Sequence, residues 1–258
     1  MKSANKKLRA YIIFAPGTNC EEETQYALLK TGFDAKIFPL KESIKDFKKI
    51  HEYHLFVIPG GFSFGDDIKA GKVLAIYLKK FLFEELKKFY EDGKLILGIC
   101  NGFQVLVRAG ILPFFDGKEW VSLELNKKGV FEDRWVFLKK EKNIPFTEFI
   151  DEISPIPIAH AEGRFVAPKE IIERIEKEKL VVFRYCDEKG NIEDEYPVNP
   201  NGSINNIAGI CDKNGRVLGL MPHPERAFED YQFPEGIFSK NTGKNFFKGI
   251  FKYLKKIF

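Results

Sequence analysis

The sequence predicts an α/β protein built on a doubly wound, mostly parallel sheet with helices on both faces. Three observations carry that expectation. Short apolar runs alternate with amphipathic stretches through the first half of the chain, and strands that alternate with helices pair in parallel through right-handed crossovers. Glycine turns follow two of the apolar runs, at Gly60-Gly61 and at Gly98 to Gly102. Both would sit beyond the carboxyl ends of strands, where such sheets bind ligands. In the middle of the chain the alternation gives way to what reads as a small antiparallel sheet inserted into the main one.

Strands are expected at Ala10–Ala15, Ala35–Pro39, Leu55–Pro59 and Leu95–Gly98. Helices are expected between them, near Glu21–Thr31, Ser43–Lys48 and Lys72–Glu91. In the last of these, Val73, Ile76, Tyr77, Phe81 and Leu82 recur near helical spacing. From Trp120 to Ala159, Val121–Leu125 and Arg134–Leu138 read as antiparallel strands, with Pro145, Pro155 and Pro157 as interruptions. Alternation resumes with a helix at Lys169–Glu178 and strands at Leu180–Tyr185, Ile207–Cys211 and Val217–Met221. A hairpin turn, Asp212-Lys213-Asn214-Gly215, joins the last two. Phe246, Phe247, Ile250, Phe251, Leu254 and Ile257 mark one face of a closing helix. One domain over residues 1–258 is the expected organisation.

Composition narrows the function. A net charge of +4 with scattered lysines offers no clustered basic stripe for nucleic acid. No apolar run is long enough to span a bilayer, and the run after the N-terminal lysines is too short for an export signal. The four cysteines, Cys20, Cys100, Cys186 and Cys211, lie far apart without a Cys-x-x-Cys pair. That spacing speaks against zinc ribbons and disulfide frameworks, and for a reducing cytoplasm. No bound metal is expected.

The most informative stretch is Gly98-Ile99-Cys100-Asn101-Gly102, between an apolar strand and a helix. A reactive side chain bracketed by small residues at such a junction is a nucleophile elbow. The turn is too sharp for larger neighbours, and the helix N-terminus favours thiolate over thiol. Cys20 is a rival at the start of a helix. It lacks the far glycine, and Pro16-Gly17-Thr18-Asn19 reads as a turn and cap.

A thiol nucleophile needs a base that later returns the proton, and imidazole suits both tasks. His51 and His54 read as solvated loop histidines. His160 and His223 are each followed two residues later by a glutamate, Glu162 and Glu225. His223 is the better candidate. Proline after it favours an extended backbone, and residues two apart in an extended chain project to one side. Glu225 can then hold one ring nitrogen while the other faces Cys100. His160, in the irregular middle section, ranks second. Acyl transfer also needs oxyanion donors, for which the amide of Asn101 and the loop Gly60-Gly61-Phe62-Ser63 are placed.

Taken together, these residues resemble the class I, triad-type glutamine amidotransferases, and more closely the glutaminase subunits of phosphoribosylformylglycinamidine synthases. The matching stretches run in order through nearly the whole chain. The elbow and His223-Pro224-Glu225 would fit many class I members. Gly60-Gly61-Phe62-Ser63-Phe64-Gly65-Asp66, His160-Ala161-Glu162-Gly163-Arg164 and Asn199-Pro200-Asn201-Gly202-Ser203 single out the purine enzyme. Phe64 stands where tyrosine is common.

The resemblance implies a flavodoxin-like sheet, a triad of Cys100, His223 and Glu225, and oxyanion amides at Gly61 and Asn101. It implies that Gln104, and the segment containing His160 and Glu162, line the glutamine site with Gly60 and Phe62. It further implies glutamine hydrolysis through a thioester, with ammonia passed to a synthetase that binds formylglycinamide ribonucleotide, ATP and magnesium. A small bridging subunit is the expected third partner. No Walker-type phosphate loop occurs in this chain, so ATP is expected elsewhere. The rival readings are a class I amidotransferase serving another acceptor, a cysteine hydrolase or stress protein of the same sheet type acting without a synthetase, and a non-catalytic interaction subunit.

Overall fold

The computed structural model describes residues 7–237 and 241–258. The first half alternates as expected: β1 (Arg9–Phe14), α1 (Glu21–Thr31), β2 (Asp34–Pro39), α2 (Leu40–Lys45), β3 (Leu55–Ile58), α3 (Lys72–Tyr77), α4 (Phe83–Glu91), β4 (Leu95–Ile99) and α5 (Asn101–Arg108). The second half contains β5 (Ser122–Leu125), β6 (Glu132–Lys140), β7 (Ile153–His160), β8 (Glu162–Val166), α6 (Lys169–Lys177), β9 (Val181–Cys186), β10 (Ile207–Cys211), β11 (Val217–Leu220) and α7 (Thr242–Ile257). The stretch expected as one helix over Lys72–Glu91 is broken between α3 and α4 by a π turn at Leu78–Leu82.

Among the described residues, the large sheet has nine strands in the order β2-β1-β3-β4-β11-β10-β9-β6-β7. The first five are mutually parallel, and the rest join in antiparallel pairs. Strands β3, β4, β10 and β11 are buried along their whole length. That is why they read as unbroken apolar runs rather than alternating ones. The order reverses at β1, so right-handed crossovers send the first helix and the next ones to opposite faces. On its inner face α7 buries Phe246, Phe247, Ile250 and Leu254, whereas Ile257 is exposed.

The middle section departs from expectation in its pairing. The small antiparallel sheet is present, but its strands are β5 and β8. The stretch expected to partner β5, Arg134–Leu138, belongs instead to β6 in the large sheet, between β9 and β7. Pro155 and Pro157 do not interrupt that sheet. They lie within β7, the edge strand, opposite Phe137 and Trp135. An edge strand tolerates proline because a missing N–H on its open side removes no ladder bond. The open side of β7 turns back towards the end of β11, where Pro157 O accepts the His223 backbone N–H at 2.9 Å.

Sequence-distant elements thereby meet at one place: the chain leaves β1, β3, β4 and β11 on the same side and β7 closes over them. The closest approach is at the elbow. A Cβ on Gly102 would fall 1.9 Å from the carbonyl oxygen of Ile58, and one on Gly98 would fall 2.6 Å from Gly102 O. Neither neighbour is a flexible side chain, so backbone must move to admit a methyl. Gly102→Ala is therefore expected to destabilise the fold by about 3 kcal/mol, read as a lower urea midpoint with an unchanged slope.

Candidate active site

Cys100 stands between β4 and α5 with φ of +49° and ψ of −105°. For a residue with a side chain that backbone is strained, and it persists only where the surroundings hold it. Here the Cys100 N–H donates to Leu220 O at 2.8 Å, and its carbonyl accepts from Phe103 and Gln104. The residue is 5% exposed. Its Sγ lies 3.7 Å from Ala159 O on the open edge of β7.

His223 follows β11 in extended backbone, φ −108° and ψ 90°. Its Nδ1 lies 2.6 Å from Glu225 Oε1, and both side chains are buried. The pair forms as expected, although Glu225 itself has already entered a short 3-10 turn. Burial opposes charge on His223. The Glu225 carboxylate and the Cys100 and Cys20 sulfurs outweigh it and raise the ring's pKa well above its ordinary value. Among the described residues Nε2 has no hydrogen-bonded nitrogen or oxygen partner and is left for the thiols. Gly60 completes the contact: a Cβ there would lie 2.8 Å from His223 Cε1.

The loop after β3 is tied to the elbow through side chains. Gly61 adopts φ of +127°, open to glycine and strained for other residues. Asn101 Oδ1 accepts from Ser63 Oγ at 2.6 Å and from Ser63 N at 3.3 Å. Its Nδ2 donates to Asp66 Oδ1 at 3.2 Å and Gln104 Oε1 at 3.0 Å. Gln104 Nε2 donates in turn to Glu162 O. Both ends of the Gln104 amide are thus occupied within the protein, where it fixes the segment after β7. Phe62 is different: its ring is 45% exposed and lies 6.5 Å from that of Phe131.

His160 is not in irregular chain. It ends β7, 3% exposed, and is held by Asn126. Asn126 Nδ2 donates to His160 O at 2.8 Å and Val130 O at 2.9 Å. Its Oδ1 is therefore the acceptor for Gly163 N and for His160 Nδ1, both at 3.1 Å. That assigns the proton to Nδ1 and leaves Nε2 as a buried acceptor, unpartnered among the described residues. Burial, assisted by the charge of His223, pushes His160 down to about 3. Glu162 does not pair with His160 as Glu225 pairs with His223. Its Oε2 accepts from Ala70 N at 3.3 Å. The two His-x-Glu motifs look alike in sequence and are electrostatic opposites in the fold.

The fold gives several residues places at the site that local sequence pattern does not assign. Cys20 is at the cap position of α1 but makes no side-chain cap; it is buried beside His223. Arg226 Nη2 donates to its sulfur at 3.2 Å and Arg226 Nε to Glu23 at 2.9 Å. Donor atoms of Cys20, His223 and Glu225 all lie within 4.8 Å of one another. With a guanidinium on the sulfur and a carboxylate on the imidazole, the group is a hydrogen-bonded cluster rather than a cation cage. Asn201 Nδ2 supports Gly163 O at 2.9 Å. His54 is buried, its Nδ1 accepting from Arg9 N at 3.0 Å, and the half-exposed His51 pairs with Glu85 at 2.7 Å.

Fold and cluster together define a glutamine amidotransferase domain. The sequence profile of the CobB/CobQ-like glutamine amidotransferase domain matches residues 7–254. A phosphoribosylformylglycinamidine synthase subunit PurQ of Methanococcus maripaludis (strain C5) is 46% identical over 233 residues, covering 88% of this chain and 86% of its own. The PurQ subunit of Dehalococcoides mccartyi is 38% identical over 259 residues, 97% of this chain and 99% of its own. A chain of the PurLQS structure from Thermotoga maritima superposes with a TM-score of 0.73 at 36% identity, covering 96% of this chain and 99% of that one. This chain belongs to the PurQ family of phosphoribosylformylglycinamidine synthase subunits.

The neutral burial of His160 has a measurable consequence. Between about pH 6.5 and the folded value of about 3, the unfolded chain binds a proton at this residue that the folded chain refuses. Stability therefore falls on acidification through that window, by up to about 1.4 kcal/mol per pH unit. His160→Gln is expected to flatten this limb of a chemical-denaturation series run from pH 7 to pH 4.

Proposed function

We propose that this protein hydrolyses glutamine to glutamate and ammonia through a thioester on Cys100. The ammonia is delivered to a synthetase that converts formylglycinamide ribonucleotide to formylglycinamidine ribonucleotide in purine biosynthesis. The observation that carries the chemistry is the 2.6 Å His223–Glu225 pair set against a cysteine in elbow conformation. Family membership supports the acceptor.

Glu225 fixes the ring through Nδ1, so Nε2 is the atom that exchanges protons with the reaction. With its proton already held by the His223 imidazolium, the Cys100 sulfur attacks the glutamine carboxamide. The oxyanion then forms against the backbone amides of Asn101 and Gly61. Asn101 opens α5, and the first amides of a helix have no partner within it; loss of one such donor typically raises the barrier by about 3–4 kcal/mol. The imidazolium protonates the departing ammonia, and the same ring then activates water to open the glutamyl thioester. His160, neutral and accepting at Nε2, suits a wall of the glutamine pocket rather than a proton relay. Gln104 and Glu162 hold that wall to the elbow, and Gly60 gives the ring and sulfur room to meet.

Ammonia released into water would be protonated and lose its nucleophilicity, which favours direct transfer to a docked partner. In this reading ATP and magnesium are held by the synthetase, and a small third subunit bridges the two. The assembly would work in the cytoplasm. Among the described residues no helix is long and apolar enough to cross a membrane.

Cys100→Ala is expected to abolish glutaminase activity in the complex while leaving ammonia-dependent amidination by the synthetase intact. His223→Ala is expected to lower kcat by about 10³-fold, with His160→Ala raising KM for glutamine more than it lowers kcat. Steady-state kinetics with glutamine and with ammonium chloride separate these outcomes. Equal kcat losses in the two histidine variants would refute the assignment of the base.

A further inference from the structure

Cys20 takes no part in the chemistry above, yet it lies inside the site. It is 1% exposed. Its sulfur accepts from Arg226 Nη2 at 3.2 Å and lies 3.3 Å from Asn19 Oδ1, while Glu23 fixes the guanidinium. A His223 ring nitrogen lies within 4.8 Å of this sulfur, and both sulfurs act on the charge of that ring. Both cysteines border the space beside Gly60. A Cβ on Gly60 would meet Cys20 Sγ at 3.0 Å and Cys100 Cβ at 3.5 Å. The remaining cysteines, Cys186 and Cys211, are buried in β9 and β10.

We propose that Cys20 is the resolving thiol of Cys100: once a hydroperoxide has oxidised Cys100, Cys20 closes on it as a disulfide that inactivates the site reversibly. The inference rests on Cys100 being the reactive thiol of the proposed function. In the first step the Cys100 thiolate attacks the peroxide, an S–O bond forms and the O–O bond breaks. The departing alkoxide, or hydroxide from hydrogen peroxide, takes the proton held by His223. The sulfur is oxidised by two electrons and the peroxide reduced by two. In the second step Cys20 gives its proton to His223 and its sulfur attacks the Cys100 sulfenic acid. The S–S bond forms, the S–O bond breaks, and hydroxide leaves as water with that proton. Two thiols and one hydroperoxide thus give one disulfide, one alcohol or water, and one water. A dithiol reductant reverses the change.

The arrangement has a chemical purpose. A sulfenic acid with no thiol in reach is oxidised further to sulfinic acid, which dithiols do not reduce. Gly60 puts no side chain in the space that both cysteines border, and the His223 ring that serves Cys100 also lies beside the second thiol. Arg226 and Glu23 hold Cys20 in place while leaving its sulfur on the side of the nucleophile's imidazole.

The test is peptide mass mapping of the full-length protein after limited hydrogen peroxide treatment and alkylation. The wild type is expected to yield a linked peptide joining Cys20 to Cys100, and dithiothreitol is expected to return Cys100 to a thiol that iodoacetamide labels. In Cys20→Ala and Cys20→Ser, each compared with its own untreated sample, the recoverable Cys100 thiol should fall about fivefold or more, with Cys100 gaining about 32 Da as sulfinic acid. Absence of the linked peptide from oxidised wild type, or full recovery in both variants, overturns the proposal. The mass map does not depend on glutamine turnover. Its failure is therefore distinct from failure of the glutaminase reading, which kinetics of Cys100→Ala report.

Discussion

A backbone hydrogen bond from His223 N to Pro157 O closes the antiparallel edge of the large sheet onto its parallel centre, where the chemistry would occur. It joins the end of a central parallel strand to the outer edge of the last antiparallel one. Because β7 is an edge, its outward carbonyls are free to act as acceptors, and two of them, from Pro157 and Ala159, face His223 and Cys100. The prolines that look like interruptions in the sequence make this edge useful. They have no N–H to satisfy on the open side, and they present carbonyls to a neighbour without inviting another strand to pair.

The same closure removes water from the cluster, and the surroundings then decide charge. Two histidines, one ending β7 and one following β11, are buried to nearly the same degree. One has a carboxylate on Nδ1 and two sulfurs nearby, and its pKa is raised; the other has an asparagine carbonyl on Nδ1, and its pKa is lowered. With burial equal, the partner atom sets the ionisation. The charged ring also disfavours a second charge beside it. The site therefore keeps one proton-exchanging imidazole and one fixed acceptor, which suits a reaction needing a single base and a shaped pocket.

Much of the fold is legible in local pattern. Parallel strands buried on both faces read as apolar runs, and β1, β3, β4, β10 and β11 lie within a residue or two of their expected places. The elbow is legible because its constraint is steric and short-range: only glycine fits at Gly98 and Gly102, whichever residues come to surround them. The His223–Glu225 pairing is legible for the same reason, since proline restricts the chain within the motif. The pairing of β6 is not. Its alternation fits either sheet, and the choice depends on β9, some 45 residues away. Nor does the sequence of His160-Ala161-Glu162 reveal that the glutamate turns to Ala70 while an asparagine from the β5–β6 connection takes the ring.

The amino-acid sequence by itself determined the alternating architecture, the nucleophile turn and the identity of the imidazole–carboxylate pair, because periodicity, glycine sterics and proline restriction act within a few residues. Only the tertiary structure decided which strand closes over the sulfur, which histidine carries charge, and that Cys20 joins the cluster. Those outcomes depend on contacts between segments up to about two hundred residues apart, as Arg226 and Cys20 show, and on the water such contacts exclude.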